Sequence, residues 1–156
     1  MKKKILIFSI VSLFVLISLS GCDELDFETE NYIVVTINCG ARVYVERGDP
    51  NIGANLENLG GAEVKIDMVK AGGETKTFYR TTTSEFGYIT PVEGTFNLYK
   101  EQPITVYATV YSTPVGYEDV SWPMRSKTWT WDQIYPSMAD FGGSTTLYFT
   151  PALNGV

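Results

Sequence analysis

Apolar and polar residues alternate one by one along most of the chain from residue 31 onward, and this period of two constrains the fold more than any other feature. Successive side chains of an extended strand point to opposite faces, so each such segment has one apolar and one polar side. The clearest case is Ala62-Glu63-Val64-Lys65-Ile66-Asp67-Met68, with Ala62, Val64, Ile66 and Met68 on one face and charges on the other. Ile104 to Tyr111 repeats the pattern, apolar on one side and Thr/Tyr on the other. Ile33, Val35, Ile37 and Cys39 share a face in the same way. Further strands are predicted over Thr75 to Thr83, Gly87 to Val92, Thr95 to Tyr99, Ser126 to Trp131 and Ser144 to Thr150, which are rich in Thr, Tyr, Phe and Trp. Turn residues separate them at Gly60-Gly61, Gly72-Gly73, Glu93-Gly94, Gln102-Pro103 and Gly142-Gly143. Asn51 to Leu59 and Asp132 to Ala139 offer no more than a short helical turn each, weakened by Gly53 and Pro136.

One polar face per strand calls for antiparallel sheets packed over a single core. The expected architecture is an all-β, antiparallel β-sandwich of seven or eight strands, formed by residues 31–156 as one domain. Val64, Ile66, Val106 and Val110 are expected to face inward from opposing sheets, with Lys65 and Tyr107 facing out. Cys39 reads as a small buried hydrophobe, because no His or Lys stands beside it to activate a thiolate.

The start of the chain has a different character. Met1 to Lys4 form a basic n-region and Ile5 to Ser18 an apolar run too short and wrongly flanked for a membrane span, which together read as an export signal over residues 1–21. The run ends in Leu19-Ser20-Gly21-Cys22. These residues, after that n-region and apolar core, resemble the lipobox of prokaryotic lipoproteins. The resemblance implies diacylglycerol on the Cys22 thiol, cleavage before Cys22, and a membrane partner reached through lipid. Localisation is then to the cell membrane or outer membrane, lipid-anchored and extracytoplasmic. With Cys22 acylated, Cys39 has no partner and a disulfide framework is excluded. Residues 22–30 form an acidic tether, with five acidic residues between Asp23 and Glu30 that repel one another and keep the segment extended. It spans at most about 26 Å at roughly 3.3 Å per residue. Its spacing does not match an EF-hand calcium loop. Asp23 beside the lipid cysteine resembles an inner-membrane retention signal, whereas acidic residues shortly after that cysteine resemble surface-export signals; both alternatives stay open.

Charge and composition exclude whole classes of function. The leader holds three of the 12 cationic residues and none of the 18 acidic ones, so the chain after residue 21 carries a formal charge of −9. That sign argues against a nucleic-acid partner, which requires a basic surface. The chain contains no histidine, which removes the commonest general base and the Ser/His and Cys/His nucleophile pairs. No phosphate-binding loop motif is present, and no cofactor or metal site is expected. Carboxylate chemistry of the glycosidase kind survives, with Glu118-Asp119 or Asp132 as its candidates. Adjacent carboxylates on a strand point to opposite faces, so they do not straddle one glycosidic bond. No catalytic residue is therefore assigned and the chain is not expected to be an enzyme.

The middle of the chain resembles the carboxypeptidase-regulatory-like, or transthyretin-like, β-sandwich family. The resemblance rests on Leu59-Gly60-Gly61-Ala62-Glu63-Val64-Lys65-Ile66, on the Thr83-Ser84-Glu85-Phe86-Gly87-Tyr88 hairpin and on the closing strand Ile104-Thr105-Val106-Tyr107-Ala108. It covers roughly Val43 to Tyr111, departs at Ser84 where the family has Asp, and leaves Ser112 to Val156 outside the family core. It implies an Ig-like sandwich that serves as a spacer, assembly or accessory module. Independently, Gly87 suits a reversal that needs a positive φ.

Aromatic residues gather after that core: Tyr117, Trp122, Trp129, Trp131 and Tyr135 include every tryptophan of the chain. Trp129 and Trp131 are two apart, so on an extended strand their rings project from one face. There they either cap an open end of the sandwich or form a flat platform for a sugar ring or apolar peptide. Trp122, Trp129, Trp131 and Tyr135 are the candidate ligand-binding residues. The expected function is a non-catalytic binding or structural module with a protein or glycan partner at the cell surface; a carbohydrate-binding module or small glycosidase is the alternative.

Overall fold

The computed structural model describes residues 32–47, 55–83, 85–135 and 143–156. The leader, Cys22, the acidic tether and Ser84 lie outside the described residues. The strands are β1 (Tyr32–Cys39), β2 (Arg42–Arg47), β3 (Asn55–Asn58), β4 (Glu63–Lys70), β5 (Thr75–Thr81), β6 (Val92–Tyr99), β7 (Ile104–Ser112), β8 (Arg125–Trp129), β9 (Ser144–Phe149) and β10 (Ala152–Gly155). Among the described residues one short helix, α1, covers Trp131–Ile134. The sheets run β5-β4-β7-β8, β6-β1-β9 and β10-β2-β3. The fold is an all-β sandwich, with more strands than the seven or eight expected because the short β2, β3 and β10 add to the longer runs.

Two of the sheets are halves of one bent strand pair. Only Gly40 and Ala41 separate β1 from β2, and only Thr150 and Pro151 separate β9 from β10. β1 pairs with β9, and β2 with β10, in parallel. The ladder continues across the bend, where Gly40 N–H donates to Phe149 O at 3.0 Å and Arg42 N–H to Pro151 O at 3.0 Å. In that ladder residue 151 would donate to Gly40 O, but proline has no N–H. The Cys39 thiol donates to Gly40 O instead, at 3.3 Å. These parallel pairs are the departure from a purely antiparallel sandwich.

The alternation predicted for β1, β4 and β7 is observed: Ile33, Val35, Ile37 and Cys39, Val64, Ile66 and Met68, and Ile104, Val106 and Ala108 are all buried. The pairing of Val64 and Ile66 against Val106 and Val110 from opposing sheets is not. β4 and β7 are hydrogen-bonded neighbours, with Val64 opposite Val110 and Met68 opposite Val106, and Val110 is only partly buried. The opposing sheet is supplied by β1 and β6, where Val92, Phe96 and Leu98 are buried. Glu93-Gly94 is not a turn either, since β6 runs straight through it. A Cβ on Gly94 would lie 2.6 Å from Met68 Sδ, so this glycine makes room for a β4 side chain from the facing sheet. Asn55–Asn58 is extended where a helical turn was expected, because it pairs antiparallel with β2.

The hairpin after β5 forms as its glycine predicts. Gly87 has φ 64° and donates to Thr83 O at 3.2 Å, while Thr83 N–H donates to Tyr88 O at 2.9 Å. A Cβ on Gly87 would sit 2.2 Å from Val43 O, so both conformation and space require glycine. Beside it, buried Thr82 satisfies its hydroxyl twice, donating to Leu59 O at 2.6 Å and accepting from Ala62 N–H at 3.0 Å.

The free edge of β6 is closed by side chains. In the β1–β6 register the carbonyls of Thr95 and Asn97 point away from β1. Lys76 Nζ donates to Thr95 O at 2.5 Å and Lys70 Nζ to Asn97 O at 3.0 Å. Glu74 holds both ammonium groups, at 3.9 and 2.9 Å.

Candidate ligand-binding face

The aromatic segment does not assemble into one surface. Trp129, on the inner side of β8, is buried, with its ring edge-on to Phe149 at 6.4 Å and Lys127 Nζ 4.8 Å above it. The extended backbone ends there. Thr130 caps α1, and Gln133 returns the bond by accepting Thr130 N–H at 3.0 Å. The sequence Thr130-Trp131-Asp132-Gln133 is a capping box, the signal that could have placed a helix start at Trp131. Trp131 is buried and stacks on Tyr135 at 5.1 Å, the i, i+4 neighbour of a helical turn. The flat platform of Trp129 and Trp131 on one strand face is therefore corrected: both rings are core. Trp122 lies elsewhere, partly buried over β10, where a Cβ on Gly155 would come within 2.6 Å of its ring. Its indole N–H is buried with no partner among the described residues.

The candidate carboxylates are equally separate. Glu118 lies in a turn and accepts Gly116 N–H on both oxygens, at 3.0 and 2.9 Å. That backbone bond lowers its pKa, whereas a glycosidase acid needs its pKa raised. Asp132 is exposed in the first turn of α1.

The convergent polar and aromatic side chains lie instead on the outer face of β10-β2-β3. Val43 and Val45 point inward, so Arg42, Tyr44 and Glu46 point out. Register then builds a small grid. Arg42 lies between Tyr88 and Ala152, Tyr44 between Asn58 and Asn154, and Glu46 beside Leu56. Arg42 donates to Asn58 Oδ1 from both Nε, at 3.0 Å, and Nη2, at 2.5 Å. Its guanidinium carbon is 5.8 Å from the Tyr44 ring centroid and 5.4 Å from that of Tyr88. Asn154 Nδ2 donates to Glu46 Oε2 at 3.3 Å, and Asn154 Oδ1 is buried without a partner among the described residues.

This face sets a cation beside aromatic rings and amide groups. Arg42 is a cation clasped by a neutral amide and two rings, with no carboxylate in ion-pair range among the described residues, in a strongly acidic chain. A guanidinium has five N–H groups in a planar fork, and Asn58 occupies only two of them. Tyr88 and Leu56, exposed by 44% and 57%, offer apolar surface beside it, with Phe86 at the hairpin tip. The strict alternation of Arg42-Val43-Tyr44-Val45-Glu46 was the readable signal for β2, but nothing local could bring Tyr88, Asn58 and Asn154 to it.

Among the described residues no helix is long and apolar enough to cross a membrane, and no group of three or more cysteine or acidic side chains is placed to share a metal ion. No protein-family model matches the chain, and no curated protein is similar enough in sequence to count as a relative.

Proposed function

We propose that this protein is a lipid-anchored, extracytoplasmic β-sandwich that binds a glycan at the cell surface without catalysis, through the outer face of β10-β2-β3. The observation that carries this reading is Arg42, held between Tyr44 and Tyr88 by Asn58, with its remaining donors uncommitted among the described residues. A sugar ring offers an apolar C–H face for a tyrosine and hydroxyls for planar groups such as Arg42, Asn58 and Glu46. The anchor rests on the Leu19-Ser20-Gly21-Cys22 lipobox, and the accessory-module role on the carboxypeptidase-regulatory-like strand pattern, with which an all-β sandwich accords.

Two measurements test this. Palmitate labelling should mark the wild type and not Cys22→Ala; equal label in both removes the anchor. On an array of envelope and host glycans, the wild type should bind a subset that Arg42→Ala and Tyr44→Ala lose at least tenfold, about 1.4 kcal/mol, with melting temperatures unchanged. Binding unaffected by both substitutions, or turnover of a bound glycan, overturns the reading.

A further inference from the structure

Among the described residues the sheets end in six edge strands, and of these only β9 has neither a charged side chain nor a covering contact; β3 carries Glu57. Lys76 and Lys70 close β6. β5 carries Lys76 and Arg80, with Arg80 Nη1 on Tyr79 O at 2.8 Å. β8 carries Arg125 and Lys127, and Ser121 and Val156 exchange bonds of 2.9 and 3.1 Å just beyond β10. β9 reads Ser144-Thr145-Thr146-Leu147-Tyr148-Phe149, with no charge, proline or glycine. It is an unmanaged edge, the kind that templates a further strand.

The parallel ladder fixes which groups are left over. Val34 N–H donates to Gly143 O and Gly40 N–H to Phe149 O, so the odd-numbered residues of β9 face β1. Ser144, Thr146 and Tyr148 turn their N–H and C=O groups away from the sheet, and no partner bonds them among the described residues.

We propose that β9 is a self-association edge, on which a second copy of this chain pairs its own β9 antiparallel about a two-fold axis at Thr146. The spacing is self-complementary. Ser144 of one copy meets Tyr148 of the other, Thr146 meets Thr146, and every outward N–H and C=O finds its complement. The interface is isologous and closes as a dimer. On the inner side, half-buried Leu147 meets Thr145 of the other copy, which covers its remaining apolar surface. With no charge on β9, the pair brings no like charges together, although each chain is acidic overall. The two β6-β1-β9 sheets become one continuous sheet with a lysine-guarded β6 at each end.

Disulfide trapping in the intact membrane-associated protein tests this. Residues of a hydrogen-bonded antiparallel pair have Cα atoms about 5.5 Å apart, within disulfide reach, so Thr146→Cys should give a covalent homodimer on mild oxidation. Wild type, with the Cys22 thiol lipid-modified and Cys39 buried, sets the background, and Thr95→Cys on the guarded β6 should match that background. Thr146→Lys, which places two like charges opposite each other, should keep the wild-type β-sheet circular dichroism and sediment as a monomer where the wild type sediments as a dimer. A monomeric wild type, equal trapping at Thr95→Cys and Thr146→Cys, or a Thr146→Cys adduct with a different protein would each overturn the proposal.

Discussion

Cys39 fills a gap that a proline creates. Its thiol supplies the donor that Pro151 lacks, inside a core where burial pushes its pKa from the ordinary 9.0 up to about 12. The sign of the resulting pH dependence follows from that direction. Below pH 9.0 the thiol is protonated in both folded and unfolded chains and its contribution to stability is complete. Above 9.0 the unfolded thiol ionises while the folded one does not, so stability drains away as pH climbs toward about 12. Urea midpoints taken across this window should fall more steeply for the wild type than for Cys39→Ala, which has no thiol to ionise. Parallel slopes would show that Cys39 ionises as readily folded as unfolded. The reading of Cys39 as a buried hydrophobe was available from alternation alone. Its role as a hydrogen-bond donor was not, because Pro151 lies far away in sequence.

At the level of elements, legibility tracked how locally each element is determined. β4 and β7 declare themselves through long alternation, and the Gly87 hairpin through a residue that tolerates positive φ. β6 was cut in two because Glu93-Gly94 looks like a turn; the glycine answers Met68 on another strand, a tertiary demand with no local trace. The indole platform failed for a local reason, the capping box at Thr130, which won over the period of two. The face built on Arg42 needs four separate segments in register and so could not be read from any one of them. The lysine-closed edge makes a prediction at this scale. Lys70→Ala with Lys76→Ala should cost about 1 to 3 kcal/mol, from two charge-assisted bonds on a partly exposed edge. It should also raise light scattering on storage as the β6 carbonyls become available to other chains. Unchanged melts and scattering would mean the lysines merely rest there.

For the molecule as a whole, stability rests on one core shared by the facing sheets, into which β1, β4, β6 and β7 all contribute fully buried residues. Net stabilities of such domains are typically about 5 to 15 kcal/mol. Ile66→Ala, emptying a fully buried position at the centre of β4, should therefore consume a large share of it, about 2 to 5 kcal/mol. Lys65→Ala, one residue away on the outer face with only an ion pair to Asp67 at 2.8 Å, should cost no more than about 1 kcal/mol. Similar losses in urea melts would contradict the assigned faces. The bend that makes two sheets from one strand pair also sets how the molecule carries tension. Arg42 and Tyr44 stand on β2, which follows β1 after only Gly40 and Ala41. A pull applied at Arg42 and resisted at Tyr32 runs through the bend into β1, which β6 and β9 flank on either side. It loads those flanking hydrogen bonds together in shear rather than opening them one by one, so β1 resists being drawn out of its sheet along its own length.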